Sequence, residues 1–191
     1  MYQEVLDVNL LGMIRVTQQF LPHLRQSKGR IVNASSAQGR FASPFSSAYS
    51  ISKFGVEALG DTLRFELHKF GIKVIILEPG NFAKASAQFL PENMKKTMQR
   101  VWEQMSPELQ KLYGKKYFND VANAIAGTPD FSSPDLNMVI DDYIKALTLQ
   151  SPKSRYMPAT PLWKLIPLGL YFSPGWVGDF IFMSSLYLLK K

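Results

Sequence analysis

Two hydrophobic periods alternate along the first 80 residues. Leu6, Leu10, Met13, Thr17, Phe20 and Leu24 follow one another three or four apart, which predicts a helix over 3–26. Val5, Asn9, Gly12 and Val16 form a second row beside them, so this helix is expected to be buried on more than one side. "GRIVNASS" then breaks the period after Gly29 and predicts a short strand. Helical spacing returns over 46–70, with Val56, Leu59, Leu63 and Leu67 inward, and Gly71 stands where a helix ends. "IKVIILEPG" is continuous in aliphatic residues, as strands of a parallel sheet are when both faces are covered. Helix, strand, helix, strand is the order of an α/β fold built on a doubly wound parallel sheet.

Beyond residue 83 the pattern weakens. Met94, Met98, Val101 and Met105 predict a helix that breaks near Pro107, and "GTPDFSSP" predicts a loop. Asp135 to Leu149 is helical, entered from Ser133 and Pro134, and "SRYMPA" predicts a last short strand. Residues 161–191 are strongly apolar. Fourteen uncharged residues lie between Lys164 and Asp179, interrupted by Pro167 and Pro174, and ten more follow Asp179. Neither run reaches the roughly 20 residues of a membrane-spanning helix. A membrane-interface segment or a lid over an apolar pocket is expected there, with a core-packing tail as the bland alternative. The expected organisation is therefore a partial Rossmann-type catalytic domain over 1–160 and an apolar tail over 161–191.

Composition narrows the function classes. With 191 residues, 46% of them hydrophobic, the chain can bury a sizeable core. It has no cysteine, which excludes disulfides and thiolate metal sites, and no metal site is expected. The net charge of +7 comes from scattered Lys and Arg with only short doublets such as Lys95-Lys96 and Lys115-Lys116. That is the pattern of a solvated surface rather than of a nucleic-acid interface. The opening "MYQEVLDVNLLG" has neither a basic region nor an apolar core and does not read as a signal peptide.

The candidate chemistry lies in "NASSAQGRFASPFSSAYSISKFGVEAL". Tyr49 and Lys53 are four apart on a predicted helix and share one face. A tyrosine has a pKa of about 10 and is a poor base near neutral pH. A neighbouring ammonium favours the phenolate, so the pair can exchange a proton under physiological conditions. Ser36 ends the preceding strand, where α/β sheets place ligand-binding groups, and its hydroxyl could hold a substrate oxygen near Tyr49. Asn9 is an amide among apolar neighbours and needs partners. Taken singly, each has a structural explanation.

Together, "DVNLLG", "GRIVNASSAQG", "YSISK" and "LEPG" resemble the short-chain dehydrogenase/reductase superfamily in order and spacing, with Ser36 thirteen residues before Tyr49. The resemblance implies an NAD-dependent oxidoreductase, with NADP left open, acting on a small-molecule alcohol or ketone. It implies a catalytic tetrad of Asn9, Ser36, Tyr49 and Lys53. Tyr49 exchanges the proton, Ser36 orients the substrate oxygen, and Lys53 tunes Tyr49 and bonds the nicotinamide ribose. Asn9 holds a relay water, and Pro79 and Gly80 lie against the nicotinamide. "EPGNF", "YGKKYF" and "RYMP" look like the D-beta-hydroxybutyrate dehydrogenase branch, which implies 3-hydroxybutyrate as substrate. That branch also implies a phospholipid surface, association with the mitochondrial inner membrane and a homo-oligomer. Lys95, Lys96, Arg100 and Arg155 are the candidates to neutralise the substrate carboxylate. The neighbouring retinol and hydroxysteroid dehydrogenases remain the alternative, with an endoplasmic reticulum membrane.

The sequence departs from the family in one respect. It has no Gly-x-x-x-Gly-x-Gly turn to cradle a pyrophosphate and no Asn-Asn-Ala-Gly. The expectation is a portion of a longer enzyme, with its first strand unpaired on one edge. A non-catalytic fragment acting in membrane association or dimerisation is the competing reading. On that reading, Gly55, Ala58 and Gly60 leave room for a second subunit.

Overall fold

The computed structural model describes residues 2–86, 90–126 and 132–188. Its helices are α1 (Tyr2–Leu6), α2 (Gly12–Ser27), α3 (Ser47–Glu66), α4 (Pro91–Gln104), α5 (Pro107–Tyr113), α6 (Lys115–Ala126), α7 (Asn137–Thr148), α8 (Pro161–Phe172) and α9 (Gly175–Leu188). Its strands are β1 (Arg30–Ala34), β2 (Lys73–Leu77) and β3 (Arg155–Tyr156). The chain divides into two compact units, Met1–Gly80 with Asn137–Ser173, and Asn81–Leu136 with Pro174–Lys191.

The first unit holds a parallel sheet in the order β1-β2-β3, with Ile31 opposite Val74 and Leu77 opposite Tyr156. Alternate side chains serve opposite faces. Ile31 and Val74 pack with Leu67 and Ile72 against Leu21 and Leu24 of α2 and Leu63 of α3. On the other face Ile75, Leu77 and Tyr156 pack with Val32 against Val139, Tyr143 and Ala146 of α7. Cover on both faces explains why β2 could be read as one apolar run. Lys73 N donates to Gly29 O and Ser35 N donates to Leu77 O. The peptide groups of Arg30, Val32 and Ala34 therefore point to the other edge of β1. Among the described residues no strand pairs with that edge.

Four expectations need correction here. The first helix contains a π-helical turn, Asp7–Leu11, that regular spacing did not predict. Phe20 is exposed and Leu21 takes its place in the core, because three- and four-residue steps from Thr17 put the two on either side of one stripe. Of the second row, Val5, Asn9 and Gly12 are half-buried, but Val16 is more than half exposed, so the broad buried face does not extend to the C-terminal half of the helix. The helix over 46–70 ends in α-form at Glu66. A 3-10 turn, His68–Phe70, follows it, and Gly71 closes that turn at φ 71°.

The second unit is helical. The helix predicted to break near Pro107 ends at Gln104, and Pro107 opens a further helix that was not predicted. The sequence reading missed α6, whose signal is Tyr117, Val121 and Ile125 at four-residue spacing, with Val121 buried. Trp102 of α4 meets Phe118 of α6 with ring centroids 4.9 Å apart, and Lys115 Nζ stands 4.3 Å from the Trp102 ring centre. Asn81 Oδ1 accepts from Ala83 N at 3.0 Å, at the start of the 3-10 turn Ala83–Ala85. The apolar run from 161 forms α8 in the first unit and α9 in the second. Among the described residues no helix is long and apolar enough to cross a membrane. Residues 189–191 at the end of the apolar tail and residues 127–131 of the expected loop lie outside the described residues.

Candidate active site

Asn9, Ser36, Tyr49, Lys53, Pro79 and Gly80 all lie in the first unit, with Ser36, Pro79 and Gly80 following the C-terminal ends of β1 and β2. Ser36 leaves β1 with an extended backbone and caps the 3-10 turn Ala37–Gly39, its Oγ accepting from Gln38 N at 3.2 Å. The next peptide ties this turn to the neighbouring strand, Ala37 N donating to Pro79 O at 2.9 Å. Pro79 and Gly80 are themselves held by β3, since Glu78 N donates to Tyr156 O and Gly80 N to Pro158 O. A Cβ on Gly80 would come within 2.7 Å of Ala159 Cβ, so only glycine permits this approach.

Tyr49 stands in the first turn of α3, 38% exposed. Lys53 Nζ lies 5.5 Å from the centre of its ring and donates to Ala34 O at 2.9 Å. That carbonyl is on the edge of β1 that β2 does not use. Burial holds the Lys53 ammonium below its ordinary value, and the charge of Glu57 works against that. Asn9 sits in the π-helical turn, where backbone carbonyls leave their regular partners. Its Nδ2 donates to Ser52 Oγ at 3.1 Å, and Ser52 Oγ donates to Tyr49 O at 2.7 Å. The structure thus links Asn9 to the turn that carries Tyr49, and sets Lys53 between Tyr49 and the strand that leads to Ser36.

Donors and acceptors remain unspent. An ammonium has three N–H groups. One from Lys53 is used on Ala34 O, leaving others for ribose hydroxyls or a water. Ser36 Oγ accepts from the backbone, and its own hydrogen is free to be given to a substrate oxygen. These residues fit the nicotinamide-ribose end of a dinucleotide.

Other expectations change. Arg155 is not available to a substrate carboxylate. Its NH1 donates to Glu57 Oε2 and Glu78 Oε1, and its NH2 to both Asp61 oxygens at 2.6 Å. A buried acid needs a cation, and Glu78 is 2% exposed. Lys95, Lys96 and Arg100 are exposed residues of α4 in the second unit. The room at Gly55 is filled by Leu10, whose Cδ2 would lie 2.6 Å from an added Cβ, and the room at Gly60 by Ile76 at 2.5 Å. Those two glycines serve packing within the chain rather than a second subunit. Sequence reasoning passed over Glu57, Glu78 and Arg40. Arg40 NH2 bonds Glu78 at 2.8 Å. The available signals were an acid four residues after Lys53 and another at the end of an apolar strand.

The profile of the short chain dehydrogenase family matches residues 1–95, which contain the whole constellation. The chain belongs to the short-chain dehydrogenase family. Over 182 residues it is 41% identical to the mitochondrial D-beta-hydroxybutyrate dehydrogenase of Rattus norvegicus, covering 95% of this chain and 53% of that protein. It is 39% identical to retinol dehydrogenase 7 of Mus musculus, covering 97% of this chain and 58% of the relative. A short-chain dehydrogenase of Streptomyces avermitilis shares the fold at a TM-score of 0.62 and 22% identity, over 88% of this chain and 56% of that one. The chain spans about half the length of the curated relatives it matches.

Proposed function

We propose that these residues are the proton-transfer and nicotinamide-binding part of an oxidoreductase that interconverts a secondary alcohol and a ketone. The carrying observation is the Lys53 ammonium, 5.5 Å from the Tyr49 ring centre and bonded beside the strand end that presents Ser36. Tyr49 acts as the phenolate, whose negative charge the Lys53 cation stabilises, and its Oη takes the alcohol proton as the hydride leaves the carbon. Ser36 Oγ–H holds the substrate oxygen. Asn9, in the π-helical turn, holds the water that returns protons from Lys53. A bound NAD, or NADP, supplies the acceptor or donor of the hydride.

The substrate pair is (R)-3-hydroxybutyrate and acetoacetate. The name of the rat relative supports this. A cavity of about 430 Å³ in the first unit is lined by Met157, Pro167, Leu168, Tyr171 and Phe172, with Arg40 and Lys164 also in its wall. Arg40 is held by Glu78, which leaves exposed Lys164 as the carboxylate partner. The size and apolar walls of this cavity also favour the second reading, a retinol or hydroxysteroid substrate. In an active dehydrogenase carrying these residues, NAD reduction with (R)-3-hydroxybutyrate is the expected result. Lys164→Met should raise KM for it and leave kcat nearly unchanged. Oxidation of retinol or a hydroxysteroid with none of hydroxybutyrate would hand the assignment to the second reading.

The proposed setting is the surface of the mitochondrial inner membrane, with the endoplasmic reticulum membrane as the alternative, and a homo-oligomeric enzyme. Leu162, Leu165, Leu168 and Phe172 form one stripe of α8 and are each at least 55% exposed. Trp176 and Phe180 of α9 are about as exposed, at 69% and 70%. Large apolar groups beside a lysine suit a membrane–water interface. The 191-residue chain is expected to co-sediment with phosphatidylcholine–cardiolipin vesicles, and the double change Leu165→Glu with Phe172→Glu to release it. Wild-type chain left in the supernatant would remove the membrane claim.

A further inference from the structure

Glu57 lies four residues after Lys53 on α3, hence on the same face, and is 7% exposed. Its carboxylate is tied to β3 and approached by the segment after β1. Arg155 of β3 donates to Glu57 and to Glu78, the residue before Pro79 and Gly80. Arg40, just after the Ser36 turn, bonds Glu78 at 2.9 Å through Nε and stands 3.8 Å from Glu57 Oε2. Ser35, adjacent to Ser36, has one hydroxyl hydrogen to give, to the Lys53 carbonyl at 3.4 Å or to the Glu57 carboxylate. Gly39 closes the packing. A Cβ there would lie 2.8 Å from Glu57 Cγ, 2.8 Å from Ser35 Oγ and 3.1 Å from Lys53 O.

We infer that Glu57 is a positioning residue. Clasped by Arg155 and packed under Gly39, it fixes the Ser36 turn against α3 and sets the electric field at Lys53. This deepens the proposed function and rests on it for the roles of Lys53 and Tyr49.

The groups facing Glu57 give the field its sign. On α3 these are Lys53 and Asp61, four residues to either side, after the Ser36 turn Arg40, at the end of β2 Glu78, and on β3 Arg155. Arg64 NH1 is taken by Asp61 at 2.8 Å and Arg40 by Glu78, so Glu57 is the anion acting on Lys53. Burial, then Glu78, pushes the Glu57 carboxyl up to about 7, against hydrogen bonds from Ser35 and Arg155. Above neutral pH Glu57 is charged and supports the ammonium. Below it Glu57 is neutral and that support is lost.

The test is made on the 191-residue chain, without cofactor, by NMR titration of its lysine Nζ groups, with the Lys53 signal identified through Lys53→Arg. In the wild type the Lys53 signal should inflect near pH 7 as Glu57 charges, and again at its own titration. Glu57→Gln keeps the shape and should abolish the first step and move the second to lower pH. A wild-type Lys53 signal flat through neutrality would overturn the inference whether or not the variant folds. So would an unchanged Lys53 midpoint in a folded Glu57→Gln chain. In an active dehydrogenase Glu57→Gln should lower kcat, by up to about a hundredfold if the reacting groups are misplaced by an ångström, with little change in KM. Loss of the Tyr49 role would leave the titration result standing, so the two failures are separable.

Discussion

Tyr49→Phe is expected to lower kcat by about 10²–10⁴-fold in an active dehydrogenase carrying these residues, the usual contribution of a positioned acid–base group. The ring and its packing survive the change, and only the oxygen is lost. Lys53 keeps its bond to Ala34 O and Asn9 its bond to Ser52, because both are made without the phenol. Substrate and cofactor binding should therefore persist, with the loss appearing in kcat rather than KM. Steady-state kinetics with hydroxybutyrate and NAD, alongside a direct binding measurement, check this. Turnover near wild type in the Phe enzyme would mean that another group carries the proton.

The sheet was legible for a physical reason. β2 is buried on both faces after Lys73, so its remaining four residues carry one unbroken signal. The Ser36, Tyr49 and Lys53 spacing was legible because local elements hold it, a 3-10 turn and two turns of one helix. What failed was non-local. Arg155 looked like a free cation, yet it is bound to Glu57 and Glu78, 98 and 77 residues away in sequence. No periodicity reports partners at that separation. The π-helical turn around Asn9 failed for a different reason, since one displaced turn barely alters three- and four-residue spacing. Gly55 and Gly60 show a third case. Small residues mark close approach, but the sequence does not say whether Leu10 and Ile76 or another subunit approaches.

Arg155→Ala should be the most destabilising single change in the first unit. It strips the common cation from Glu57, Glu78 and Asp61, the first two of them buried. Removing one partner of a buried ion pair costs about 3–5 kcal/mol because the other charge is left unpaired. The low end applies here, since the Arg155 side chain is 23% exposed and Arg40 still bonds Glu78. Glu57 adds a pH dependence of known sign. Its folded pKa, about 7, lies above its ordinary 4.5. Its contribution is therefore fully present below about pH 4.5 and is lost as pH rises through 7. Wild-type chain should thus lose stability relative to Glu57→Gln between pH 5 and about 8. Arg155→Ala should suffer most at the alkaline end of that window, where Glu57 is charged without its guanidinium. Urea titrations at pH 5.5 and 8 measure both effects. A midpoint for Arg155→Ala equal to wild type at pH 8 would show that the cluster does not hold the unit together. Wild type and Glu57→Gln running parallel across the window would show that Glu57 does not titrate there.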